Sequence, residues 1–377
     1  MPEPFKNLFS RKVIDHMGEH FLRVDKKFPR KRFVKLASEG LEELELKQRS
    51  EQIMQAMIIC LPDDFAEAGR IMMEALAPEN YIRIKQESIC AEGISGWAIM
   101  PMTHYVGLQG QQHFDQAMEL MKEMTKRFTS EFGIRFLIIA ETNRSLVLFK
   151  KWVEDPNEHV RRLVSEGTRP RLPWAMQLTE FVADPAPCLP LLEALKDDES
   201  EYVRRSVANH LNDIAKDHPD LVAAIAQQWL EGEVSNDRRR LVCHACRSLI
   251  KQGHRPTLKA LGYKNAKVRV DRLLITKPVV KLGGYLEFEL SLISTLKKDQ
   301  PLIIDYAVHH QKANGKLTAK VFKWKKLILA GEDSFIANRR HSMRVISTRK
   351  YYPGLHRLEI LVNGQSVALS DFELKVS

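Results

Sequence analysis

No run of apolar residues in these 377 positions approaches the ~18 needed to cross a bilayer; the longest candidates, "QAMIIC" and "RFLIIA", are a third of that length. The first residues, "MPEPFKNLFSRKV", lack the apolar segment of a secretory signal. Cysteine is scarce, five in all, an odd number in a chain of this size, and does not suggest a disulfide framework. There is no glycine-rich phosphate loop and no zinc-protease motif, so neither a nucleotide cofactor nor a metal is expected. "CHAC" (Cys243–Cys246) has Cys-x-x-Cys spacing but no second pair near it. A soluble, cytoplasmic protein without a membrane partner is expected.

What is present is a large apolar fraction, 44%, enough for a real core, and a length that suits more than one domain. The net charge of +10 is unevenly spread. From Gly262 to Ser377 there are 21 Lys and Arg against 10 Asp and Glu, which leaves 37 basic and 38 acidic residues in the rest. An excess confined to one part favours a polyanionic partner there. The hydrophobic period changes at the same place. "FAEAGRIMMEAL", "HFDQAMELMKEMTKRF" and "LVLFKKWVED" have helical spacing, whereas "YLEFELSLIS" alternates Leu286, Phe288, Leu290 and Leu292 with polar neighbours. Asn363-Gly364 and Asn314-Gly315 mark hairpin turns. We therefore expect a multidomain protein: an all-α HEAT-like repeat solenoid over residues 1–262, then an all-β immunoglobulin-like sandwich of about seven strands over residues 268–377.

The solenoid expectation rests on a repeat. "WVEDPNEHVRRLVSEG" from Trp152, "LKDDESEYVRRSVANH" from Leu195 and "LEGEVSNDRRRLVCHA" from Leu230 align without gaps at spacings of 43 and 35 residues. Each reads as a helix end, an acidic turn and a second helix opening on an Arg pair. The pairs are Arg161 and Arg162, Arg204 and Arg205, Arg239 and Arg240. Stacked repeats would set them in rows suited to a phosphate backbone. One member of each pair is expected to bridge to acids of the preceding turn and the other to face a ligand. Five positions after Arg161 the alignment gives Glu166, Asn209 and His244. Only Glu166 is acidic, and it lies at the negative end of a helix, an unfavourable place for a carboxylate and hence a candidate for function.

"WVEDPNEHVRRLVSEGTRPRLPW", together with "MTKRFTSEFGIRFLI" (Met124–Ile138), "NHLNDIAKDHP" (Asn209–Pro219) and "LELKQRSEQIMQAMIICLP", resembles the AlkC branch of the HEAT-like DNA alkylation-repair glycosylases, relatives of AlkD. The blocks occur in order over roughly residues 1–260, and the basic sandwich fits members with an added immunoglobulin-like domain. The resemblance implies a bacterial monofunctional DNA glycosylase that starts base excision repair by hydrolysing the N-glycosidic bond of cationic bases: 3-methyladenine, 3-methylcytosine and 1-methyladenine. It also implies action without base flipping. The expected partner is double-stranded DNA carrying alkylated bases, with the protein a monomer and no cofactor. Carried over by position, Glu166 is the leading catalytic carboxylate, Asp213 a second acid for the water, Glu131 a pocket acid and Trp174 an indole against the lesion nucleotide. Each also has a plain structural reading: Glu131 as a first-turn acid, Asp213 as a salt-bridge partner within the array, Trp174 as core. Arg169 joins the Arg pairs among the residues expected to bind DNA. In the sandwich the clusters Lys320–Lys326, Asn338–Arg344 and Ser347–Lys350 point to DNA. Lys323 and Lys325 alternate with Phe322 and Trp324, and Arg339 and Arg340 stand in the second cluster. The competing reading is a non-enzymatic helical scaffold for nucleic acid or protein.

Overall fold

The computed structural model describes residues 5–79, 90–346 and 349–376. The chain forms two compact units, Met1–Asp217 and His218–Ser377. The first is helical: α1 (Arg11–Val24), α2 (Arg30–Ser38), α3 (Leu46–Cys60), α4 (Phe65–Ala75), α5 (Ile99–Gln109), α6 (Phe114–Thr125), α7 (Ile134–Ala140), α8 (Thr142–Trp152), α9 (Glu158–Gly167), α10 (Thr179–Ala183), α11 (Leu189–Leu195) and α12 (Glu201–Ile214). Among the described residues no helix is long and apolar enough to cross a membrane.

Helix α9 illustrates how sequence sets these elements. Asn157 accepts a hydrogen bond from the His159 amide and caps the start. Val160, Leu163 and Val164, at i, i+3 and i+4, are buried, each stabilising the fold by roughly 1.5–3 kcal/mol. The helix ends at Gly167, whose backbone is not left-handed. The glycine is needed for space, since a Cβ there would lie 2.9 Å from Ile134 of α7. Thr168 closes the end by donating its hydroxyl to the Val164 carbonyl at 2.6 Å. Helix α12 packs against α9.

The second unit opens with α13 (Pro219–Trp229), α14 (Asn236–Ala245), α15 (Arg247–Gln252) and α16 (Arg255–Ala260). Eight strands follow: β1 (Val268–Ile275), β2 (Val279–Lys281), β3 (Tyr285–Ser294), β4 (Gln300–Gln311), β5 (Leu317–Leu329), β6 (Ser334–Ser342), β7 (Gly354–Val362) and β8 (Gln365–Lys375). They form a three-stranded sheet, β1-β3-β6, and a five-stranded sheet, β2-β8-β7-β4-β5, antiparallel but for β2 against β8. The alternating residues Leu286, Phe288, Leu290 and Leu292 enter one core with Ile304, Tyr306, Ile360 and Phe372. At the β7–β8 turn Asn363 and Gly364 have φ of 47° and 74°, as a two-residue hairpin requires. Gly364 meets a second constraint: a Cβ there would lie 2.6 Å from the Cα of Gly253, just after α15. Asn363 also donates to the Lys264 carbonyl and accepts from the Ile303 amide. The change from helix to strand falls between Ala260 and Val268, whereas the compact units divide earlier, because α13–α16 pack within the unit that holds the strands.

Candidate active site

Three carboxylates from three segments of the helical unit converge. Along α9 and just beyond it, Arg162, Glu166 and Arg169 are spaced i, i+4 and i+7 and share one face. Glu166 sits next to last in the helix, and its neighbours offset the unfavourable dipole. Arg169 Nη1 lies 2.6 Å from Oε1, the Ser206 hydroxyl donates to Oε2 at 2.5 Å, and Arg162 Nη2 stands 3.7 Å away. Ser206 belongs to α12, which two turns later presents Asp213. Asp213 receives Arg169 Nε at 2.8 Å on Oδ2 and Lys216 Nζ at 2.9 Å on Oδ1. Glu131 comes from the turn before α7. Its Oε2 receives Arg162 Nη1 and the Thr129 hydroxyl, both at 2.8 Å. Glu166 and Asp213 are buried.

The arginines fix this arrangement. Burial works against the charge of Arg169, but Glu166 and Asp213 more than compensate and raise its pKa above the ordinary value. Arg162 is raised in the same way by Glu131 and Glu166 against its own burial. Behind them lies Arg135, fully buried on α7. Burial first, and the neighbouring Arg169 next, push its pKa down to about 10. It donates to the carbonyl of Gly167 at 2.9 Å and to that of Met176 at 2.8 Å. It thereby ties the end of α9 to the loop that carries Trp174. His210 on α12, whose pKa burial lowers to about 4, bonds through Nδ1 to the Ser165 carbonyl.

Trp174 is not core. It is 62% exposed, and its φ of 68° is rare for a non-glycine residue. The Lys47 ammonium donates to its carbonyl. The indole borders a groove of about 670 Å³ shared with Phe132, Phe136, His104, Met100 and Met176.

The Arg pairs divide their roles unevenly. Arg161 is buried and grips Asp198 with two bonds, 2.7 and 3.0 Å, while also donating to the carbonyls of Asp155 and Pro156. Its acidic partner thus comes from the turn of the following repeat, and only backbone from the preceding one. Arg204 likewise donates to the carbonyls of Asp198 and Glu199. The first member of each of these pairs is structural. Arg162 turns to the carboxylates, and Arg205 is exposed. In the third copy the buried arginine is Arg238, stacked on Trp229 at 5.6 Å, one position earlier than the alignment expects. Arg239 and Arg240 are exposed, the latter 3.6 Å from Asp237. Arg169, expected at a phosphate, lies inside, committed to Glu166 and Asp213.

In the sandwich, Lys323 and Lys325 are exposed and Phe322 and Trp324 pack against the core, as their alternation predicts. Arg339 and Arg340 are exposed on β6. Arg340 lies 3.5 Å over the Tyr285 ring and 3.2 Å from Glu287. Ser347 and Thr348 of the last basic cluster lie outside the described residues.

Sequence reasoning missed Ser206, Lys216 and Arg135, although two of them leave a trace. Aligned repeats carry Leu163, Ser206 and Leu241 at one position, so a hydroxyl replaces an apolar row. Arg135 is a lone charge inside the apolar run "GIRFLIIA".

This chain is similar to known proteins over nearly its whole length. The DNA alkylation repair enzyme family matches residues 111–251. The family described as "Uncharacterised protein YhaZ, C-terminal Ig-like domain" matches residues 269–376. The uncharacterized protein YhaZ of Bacillus subtilis (strain 168) is 33% identical over 371 residues, covering 98% of this chain and 99% of that protein. The solved structure of the Pseudomonas fluorescens alkylpurine DNA glycosylase AlkC, bound to DNA containing an abasic site analog, is 35% identical. That match covers 99% of this chain and 100% of that one, with a TM-score of 0.86.

Proposed function

Because this chain belongs to the DNA alkylation repair family of AlkC and YhaZ type, with its C-terminal immunoglobulin-like domain, we propose that it is a monofunctional DNA glycosylase. Its substrates are duplexes with cationic alkylated bases: 3-methyladenine, 3-methylcytosine and 1-methyladenine. The observation that carries the reading is the convergence of Glu131, Glu166 and Asp213, with the exposed, backbone-constrained Trp174 on the loop that Arg135 ties to the end of α9. A positively charged base is already a good leaving group and needs no protonation. As the bond breaks, positive charge develops on the sugar. Preset carboxylates stabilise that charge, and one of them orients or deprotonates the attacking water. Glu166, held on both oxygens, faces the sugar, and Asp213 serves the water. The indole adds cation–π attraction.

Binding follows from the same parts. Outward arginines meet phosphates, Arg205 on the helical unit, which acts as a HEAT-like array, and Arg239 and Arg240 on α14 of the second unit, while Arg162 serves the carboxylates. Lys323, Lys325, Arg339 and Arg340 of the sandwich form a phosphate clamp with little sequence preference. The protein acts as a monomer and leaves the base in the duplex, contacting the sugar and backbone instead of flipping the nucleotide. The test is release of free methylated base from methylated duplex DNA, followed by chromatography.

A further inference from the structure

Tyr202 stands at the edge of the site, against Arg162. It opens α12 on the same stripe as Ser206, four residues on, and Asp213, eleven residues on. Ser206 donates to Glu166 and Asp213 is one of the three carboxylates, so the stripe points Tyr202 at the rim of the cluster. The side chain is 42% exposed, too open for a core residue, yet its ring is not free. The Arg162 guanidinium lies 4.6 Å over it, within cation–π range. His159, its equivalent in the preceding repeat, meets it edge-on at 5.7 Å and 72°. Arg162 is therefore held from two sides: Glu131 and Glu166 take its nitrogens, and the phenol ring takes its face.

Without the ring, the hold on Arg162 is lopsided. The Glu131 contact is a 2.8 Å ion pair, but the Glu166 contact is 3.7 Å, beyond hydrogen-bond range. A long side chain tied at one nitrogen retains freedom at the other end. The ring covers the face of the guanidinium at 4.6 Å.

We propose that Tyr202 is a positioning residue for the glycosylase reaction: its ring is the platform that fixes Arg162 between Glu131 and Glu166. The inference rests on the glycosylase reading for its purpose and on the stacking geometry for its substance. The face of the ring does the work, so phenylalanine serves as well as tyrosine and leucine does not.

The test uses the full-length protein. Single-turnover release of methylated bases from methylated duplex DNA is measured beside affinity for a duplex containing an abasic-site analog. Tyr202→Leu is expected to slow release about tenfold, the size of a lost cation–π contact, with affinity within about twofold. Tyr202→Phe restores the wild-type rate. In an Arg162→Ala background Tyr202→Leu has no further effect. Side-chain ¹⁵N resonances of Arg162 report the platform without chemistry, ordered in wild type and Tyr202→Phe and averaged in Tyr202→Leu. A Tyr202→Leu variant with full activity, or a Tyr202→Phe variant as slow as Tyr202→Leu, overturns the proposal. So do Arg162 signals that are unchanged by Tyr202→Leu. Wild-type protein that releases no base sinks the glycosylase reading, and the resonances then still decide the platform.

Discussion

Replacing Arg169 with methionine keeps most of the side-chain volume and removes one charge from between two buried carboxylates. Glu166 loses its 2.6 Å partner and Asp213 its 2.8 Å partner. Breaking a buried pair from one side costs about 3–5 kcal/mol, because the remaining charge is left uncompensated. Here both acids keep a second partner, Ser206 for Glu166 and Lys216 for Asp213, so the lower end, about 3 kcal/mol, applies. At ~2–4 °C per kcal/mol for a unit of this size, the melting midpoint should fall by roughly 6–12 °C at pH 7. Calorimetry at pH 7 reads this directly, and a variant with no deficit refutes the ion-pair account of the site.

Glu166→Gln preserves shape and the Ser206 contact but removes the charge; excision should fall about 10²–10³-fold with DNA affinity retained, and full activity removes Glu166 from its role. Exchanging Lys323 and Lys325 for glutamine should weaken DNA binding at moderate salt and flatten the salt dependence by close to one unit per lost phosphate contact, as measured by fluorescence anisotropy. The sandwich should be acid-sensitive. Burial pushes the pKa of His310 down to about 3 and that of His341 to about 4, against 6.5 for the free side chain. The unfolded chain then takes up protons that the folded sandwich refuses, so stability is full above pH ~6.5 and is lost as the pH falls towards those folded values. Each histidine should cost on the order of 2 kcal/mol by pH 5, readable by urea titration with mass spectrometry of peptides from β4.

The sequence carried the periodicities, and they located the helices, the alternating strands and the Asn363-Gly364 turn. It also singled out Glu166, because the aligned repeats carry a carboxylate at that position in one copy alone. What it could not carry depends on packing between elements. Arg161 and Arg162 are adjacent and chemically identical, and only the approach of the Asp198 turn decides which is structural. Arg169 reads as a surface charge until α12 brings Asp213 to it. Ser206 and Arg135 left compositional traces, but their meaning required α12 against α9 and the Trp174 loop against α7. The grouping of α13–α16 with the strands is likewise tertiary: helical periodicity does not say which neighbour a helix packs on.

The most direct measurement is chromatography of bases released when the folded, DNA-binding protein is incubated with methylated duplex DNA. Free 3-methyladenine and the other cationic methylated bases are expected, with an intact sugar-phosphate backbone and abasic sites left behind. Tight binding without any released base would contradict the glycosylase reading.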